Sequence, residues 1–176
     1  NTEITPPDDP GVPNTVASDD FGRNVATGWG NADTGGEWTT WTVVPPRASV
    51  DGSGKITLPN NLARNLTLKD ASVQDSESSL KFSLSNGPSD GGDSYVGISS
   101  RMSADTTYQT RVRMKPDGTV WIAPRRGSTN LSTVEVSGLT WAAGDVFNLK
   151  TRVTGTNPTT IQTKIWKEGS AEPTNW

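Results

Sequence analysis

An all-β antiparallel sandwich is the fold class this sequence predicts, and three observations predict it. Short runs of alternating apolar and polar residues recur along the 176 residues, separated by clusters of Gly, Pro, Asn and Asp. The composition combines 18 glycines, 12 prolines and seven tryptophans with a hydrophobic share of only 31%, which suits many short strands joined by turns better than long amphipathic helices. Finally, the stretch from Tyr108 to Arg126 reads as a β-hairpin with one apolar face, and such a face needs a second layer to cover it.

The hairpin is the segment around which the rest is arranged. Lys115-Pro116-Asp117-Gly118 is its turn, with Pro116 presetting φ and Gly118 supplying the residue with positive φ. That turn sets the register. Met114 should face Val120 and Val112 should face Ile122, while Arg113 faces Trp121 and Arg111 faces Ala123 on the other side of the strands. One face is therefore apolar, and the other carries arginines beside an indole.

From the N-terminus, residues 1–18 hold Pro6, Pro7, Pro10 and Pro13 and read as an extended Pro-rich linker or arm. The β-domain is expected over 19–176, starting at Asp19-Asp20-Phe21. A Gly-rich loop containing Gly28-Trp29-Gly30 and Gly35-Gly36 precedes a strand-like run over 37–44. Ala48-Ser49-Val50 and Lys55-Ile56-Thr57-Leu58 form a second hairpin across Asp51-Gly52-Ser53-Gly54. Further strands are expected near 64–74, 78–85 and 93–101, with an evident loop over Asn86 to Gly92. After the central hairpin come strands at 131–136, 146–154 and 160–167, the last two with Phe147, Leu149, Val153, Ile161 and Ile165 on their inner faces. The total is roughly ten short strands at the spacing of about 8–12 residues expected of a sandwich. No fixed-period repeat points to a propeller or solenoid. The chain stops at Trp176, directly after the Lys167-Glu168-Gly169 turn, so closure is expected from an earlier segment, from another chain, or from strands absent from this stretch.

Composition also narrows the function classes. Sixteen basic and nineteen acidic residues give a net charge of −3, with no basic run of the kind that binds nucleic acid. No apolar run reaches the ~18 residues of a membrane-spanning helix, so membrane insertion is not expected. Cysteine and histidine are both absent, which removes disulfides, thiolate chemistry and every Ser-His triad.

The combination Asp20-Phe21-Gly22-Arg23, Gly28-Trp29-Gly30, Asp33-Thr34-Gly35-Gly36-Glu37-Trp38, Tyr108 to Arg113, Gly144-Asp145 and Lys164 to Gly169 resembles a laminin-G/concanavalin A-like β-sandwich module, of the kind carried by actinobacterial extracellular proteins and the tail proteins of their phages. The resemblance implies an antiparallel jelly-roll and a location outside the cell or on a virion surface. It implies a role in carbohydrate binding or adhesion toward cell-surface or cell-wall polysaccharide. The alternative is a structural or host-attachment part of a phage tail or other assembly, completed by neighbouring chains through the N-terminal arm and the C-terminal edge. Glycosidases of this family carry paired carboxylates on one strand. Asp75-Ser76-Glu77 is the only approach to that pattern, Val73 stands where the nucleophilic carboxylate belongs, and the segment reads as an exposed loop, so the chain is not expected to be an enzyme.

The residues expected to bind ligand are Trp121, Arg111, Arg113, Arg125 and Trp166. Trp121 lies opposite the apolar parity of Val120 and Ile122, where it serves either as a stacking platform for sugar or as an indole capped by arginine. Trp166 is out of phase with Ile161 and Ile165 and is a second exposed indole. Trp38 and Trp41 have opposite parity, so one is expected in the core and one outside. Trp29 and Trp141 are expected to plug the ends of the sandwich. Calcium is the ion the resemblance implies, and Asp19, Asp20, Asp33, Asp90 and Asp93 sit in loops able to offer carboxylate oxygens, without a diagnostic spacing that separates ligands from turn and cap residues.

Overall fold

The computed structural model describes residues 14–40, 47–59, 62–103 and 106–176. Their regular structure is almost entirely antiparallel strand, apart from one 3-10 turn at Pro88–Asp90. The chain divides into two compact units, one ending at Ser72 and one spanning Val73–Trp176. Most of the Pro-rich arm, and Trp41 with the end of the 37–44 run, lie outside the described residues.

The first unit has two small sheets. Strands β1 (Asn24–Val25), β3 (Arg47–Asp51) and β4 (Gly54–Thr57) form one, and β2 (Trp38–Thr40) pairs with β5 (Leu66–Leu68) in the other. The expected turn at Asp51-Gly52-Ser53-Gly54 joins β3 to β4, with Gly52 at φ 71°. Phe21, Trp29 and Trp38 pack together, with ring centroids 5.0 Å apart for both Phe21–Trp29 and Trp29–Trp38 and near-perpendicular planes. Trp29 thus belongs to an aromatic cluster and donates its Nε1–H to the Lys55 carbonyl.

The second unit is built from two facing sheets. Strands β7 (Ser94–Ser100), β8 (Tyr108–Met114), β9 (Thr119–Arg126) and β10 (Thr129–Asn130) are adjacent in that order, and β11 (Val134–Thr140) also pairs with β9. Strands β6 (Ser76–Ser83), β12 (Val146–Thr154) and β13 (Thr160–Lys167) form the other sheet, with β12 in the middle. Alternation decides what is buried. Val112, Met114 and Val120 from one sheet meet Phe147, Leu149 and Ile165 from the other in a single core, and Trp141 closes it while donating to the Lys115 carbonyl. Thr110 hydrogen-bonds across the gap to Thr151 at 2.7 Å and Thr163 at 2.9 Å.

The central hairpin has the register its turn dictates: Met114 opposite Val120, Val112 opposite Ile122, Arg113 opposite Trp121 and Arg111 opposite Ala123. Gly118 (φ 81°) donates to the Lys115 carbonyl, and Asp117 accepts from both the backbone N–H and the hydroxyl of Thr119. The strand expected at 131–136 is displaced. Arg126 and Thr129 pair across a tight turn at Gly127 (φ 56°), and β11 then runs to Thr140 with a break in register between Glu135 and Thr140 around Gly138 (φ 76°). Asp75-Ser76-Glu77 is also only partly a loop, since Ser76 and Glu77 open β6.

Candidate functional site

The outward face of the β7–β8–β9 sheet follows from the inward one. Because Val112, Met114 and Val120 point into the core, Arg111, Arg113, Trp121 and Arg125 must point away from it. Strand β7 adds Tyr95 opposite Arg113 and Gly97 opposite Arg111. Four of the five residues expected to bind ligand therefore share one face.

Their partners differ in ways that parity alone does not reveal. Arg113 donates from Nε to Asp93 Oδ2 at 2.8 Å, and the same oxygen accepts from the Tyr95 hydroxyl. That contact holds the Asp93 carboxyl below its ordinary range, chiefly through the hydrogen bond from Arg113. Trp121 donates its Nε1–H to the Thr119 hydroxyl, and the cation over its ring is the ammonium of Lys115, 5.3 Å from the centroid. The arginine cap expected from the sequence falls elsewhere: the guanidinium of Arg111 lies 4.3 Å from the centre of the Tyr95 ring. Arg125 donates to the Ser128 carbonyl at 2.7 Å and, at 3.4 Å, to Gln109 Oε1.

Small residues leave the middle of this face low. Gly97 opposes Arg111 on one side and Ala123 opposes it on the other. A β-carbon at Gly97 would stand 2.6 Å from the Thr110 carbonyl oxygen, so no larger residue fits there without moving backbone. The face is thus a shallow trough with Arg111 and Arg125 on its floor. Tyr95, 44% exposed, and the half-buried Trp121 are the aromatics beside it. Tyr95 escaped the sequence reading. The alternation Tyr95, Val96, Gly97, Ile98 placed it outward, but nothing local gave its register against β8.

Trp166 stands apart. It faces outward from β13, paired with Asn148 of β12 in the same sheet, and lines a groove with Lys81, Asn148, Lys150 and Glu172. Glu172 is gripped by Lys164 and Lys150, and the Trp176 ring lies between Arg152 and Lys164, at 4.4 Å and 4.6 Å. This face is internally compensated, with Arg152 also bound to Glu77. Trp121 and Trp166 therefore occupy opposite outer faces of the second unit and form no common site. Glu77, bound by Arg152, and Asp75, bound by Arg101, are both engaged in ion pairs.

Of the aspartates expected to hold calcium, Asp19, Asp20 and Asp33 do come together, each with an oxygen within 4.8 Å of the others. The cation between these loops is Arg23. It donates to both oxygens of Asp19, at 2.6 and 2.8 Å, while Trp38 Nε1 and the Phe21 N–H complete the shell. Asp20 accepts from the Gly22 N–H and Asp33 from the Asp20 N–H. This donor set does not fit calcium, because an ion would have to displace a guanidinium from an almost fully covered carboxylate. Asp90 accepts from the Gly87 N–H in the turn of the 3-10 segment, and Asp93 belongs to Arg113. Among the described residues, no helix is long and apolar enough to cross a membrane. Comparison with protein-family models, curated proteins and solved structures finds no match to the chain.

Proposed function

We propose that this chain is a non-catalytic carbohydrate-binding or adhesion module, displayed outside the cell or on a particle, with the β7–β8–β9 trough as its binding face. The observation that carries the reading is the grouping of Tyr95, Trp121, Arg111 and Arg125 on one outward sheet face with a glycine at its centre. Sugars stack their apolar faces on aromatic rings, and fixed planar donors read their oxygens. A low floor between aromatics suits a chain-like ligand lying along the sheet. The second unit has an antiparallel, two-layer build, and to it we assign the laminin-G/concanavalin A-like class and the jelly-roll winding that the sequence resemblance implies.

Affinity electrophoresis through gels containing cell-wall polysaccharide tests this. The wild-type chain is expected to be retarded, and Trp121→Ala to migrate freely with an unchanged melting temperature. Equal migration of the two proteins would sink the assignment. Self-association of the wild-type chain without any retardation would favour instead a structural part of an assembly such as a phage tail.

A further inference from the structure

The geometry points to an acidic polysaccharide as the ligand class, with Arg111 and Arg125 together binding a carboxylate or sulfate group of the sugar chain; this rests on the glycan-binding reading above. The two arginines are diagonal neighbours on adjacent strands, since Arg111 pairs with Ala123 and Arg125 with Gln109. Diagonal positions on one sheet face lie about 7–8 Å apart at Cα, within reach of two long side chains toward a shared group.

Charge bookkeeping on this face singles out the pair. Arg113 is neutralised by Asp93, and Lys115 by Asp117. Arg111 makes no hydrogen bond or ion pair among the described residues, and Arg125 reaches only neutral acceptors. The Nε atoms of both are shielded from solvent without an acceptor. Buried donors in native proteins are nearly always satisfied, so two such donors on adjacent like charges call for an explanation. Burial, and then the neighbouring Arg111 charge, lower the pKa of Arg125, which reports the same crowding of cations. Guanidinium stays protonated under such pressure, so both arginines keep the charge that an anion would meet.

The planar forks match a planar carboxylate or a sulfate edge. Tyr95, already stacked against Arg111, and Trp121 then flank the charged sugar. Nucleic acid fits less well, because among the described residues of this face only Arg111 and Arg125 are cations without a carboxylate partner, and the chain as a whole is acidic.

The test is affinity electrophoresis of the full chain in gels containing dextran, dextran sulfate or polygalacturonate, with single-stranded DNA as a competing polyanion. Retardation is expected in dextran sulfate or polygalacturonate and not in neutral dextran, and which acidic gel retards more tells sulfate from carboxylate. Arg111→Gln and Arg125→Gln should each weaken it roughly tenfold or more. Arg111→Lys, which keeps the charge and loses the fork, should fall between, and melting curves should show all three variants folded. Retention on neutral glycans that is equal to that on acidic ones and unaffected by either Gln variant would overturn the anion assignment and leave the glycan reading standing. Absence of retention on any neutral or acidic glycan would remove both. Binding of single-stranded DNA with neither acidic polysaccharide retained would also overturn the proposal.

Discussion

Arg113 Nε donates to Asp93 Oδ2 at 2.8 Å, and this one contact separates three arginines of similar position into one structural residue and two open ones. Arg111, Arg113 and Arg125 all project from the same sheet face. Only Arg113 has an acid beside it among the described residues, because the loop before β7 places Asp93 next to it. Arg113→Ala is therefore expected to lower stability only slightly, as the loss of a solvent-screened ion pair does, and to leave polysaccharide retention intact. Arg111→Gln should do the opposite. Urea denaturation and affinity electrophoresis on both variants check the pair, and loss of retention in Arg113→Ala alone would reverse the roles.

The aspartate cluster makes a prediction about calcium. With both Asp19 oxygens held by Arg23, adding millimolar calcium should leave the melting temperature unchanged. A bound ion at a hundredfold excess over its Kd would add about 2.7 kcal/mol, which a thermal melt detects easily. Asp19→Asn, by contrast, should cost about 2 kcal/mol, since it removes a charged acceptor serving Arg23, Trp38 and the Phe21 N–H. A calcium-dependent rise in the wild-type melt would contradict the assignment of Arg23 as the resident cation.

From neutral pH downward, stability should change only at the acid end. Asp93, Asp145, Glu168 and Glu172 are all held below their ordinary values, first by hydrogen bonds from Arg113, Lys167, Lys81 and Lys164 respectively. A carboxylate whose folded pKa is depressed contributes stability that is present above the unfolded value, about 4, and lost as pH falls through that value toward the folded one. The chain has no histidine and no cysteine to titrate between about 5 and 8. Melting temperature should thus be nearly flat from pH 8 to pH 5 and drop below pH 4. A step between pH 6 and 7 would require a group this account lacks.

The threonine cluster between the sheets is a fourth point of test. Thr110 is 1% exposed and shares its hydroxyl with Thr151 and Thr163. Thr110→Val should cost about 1–3 kcal/mol, because it leaves neighbouring buried hydroxyls short of a partner. Adding Thr151→Val should cost less than the sum of the two single changes, as contacting residues do. Additive losses in urea denaturation would mean the hydroxyls act independently.

Local chemistry and long-range pairing explain what could be read in advance. The β8–β9 register was legible because Pro116, Asp117 and Gly118 fix the turn within four residues, and the turn fixes every pair above it. The outward placement of Trp121 and Trp166 followed from the same parity. What the sequence did not disclose depends on segments distant along the chain. The pairing of β7 with β8 crosses a loop after Ser100, so Tyr95 and Asp93 could not be set beside the arginines. The displacement of β11 turns on where Gly138 breaks the ladder, and a glycine inside a strand-like segment does not say by itself whether it is a bulge or a turn. The Asp19–Arg23 pair spans Phe21 at φ 58°, an unusual backbone for a bulky residue that no local pattern signals.

A glycan array carrying neutral and acidic polysaccharides, probed in parallel with the wild-type chain and with Trp121→Ala, tests the central claim most directly. The account predicts that the wild-type chain binds a restricted set of glycans and that the folded variant loses that set. Identical binding by both proteins, or loss of binding on Trp166→Ala with Trp121→Ala unaffected, would place the ligand away from the β7–β8–β9 face and contradict it.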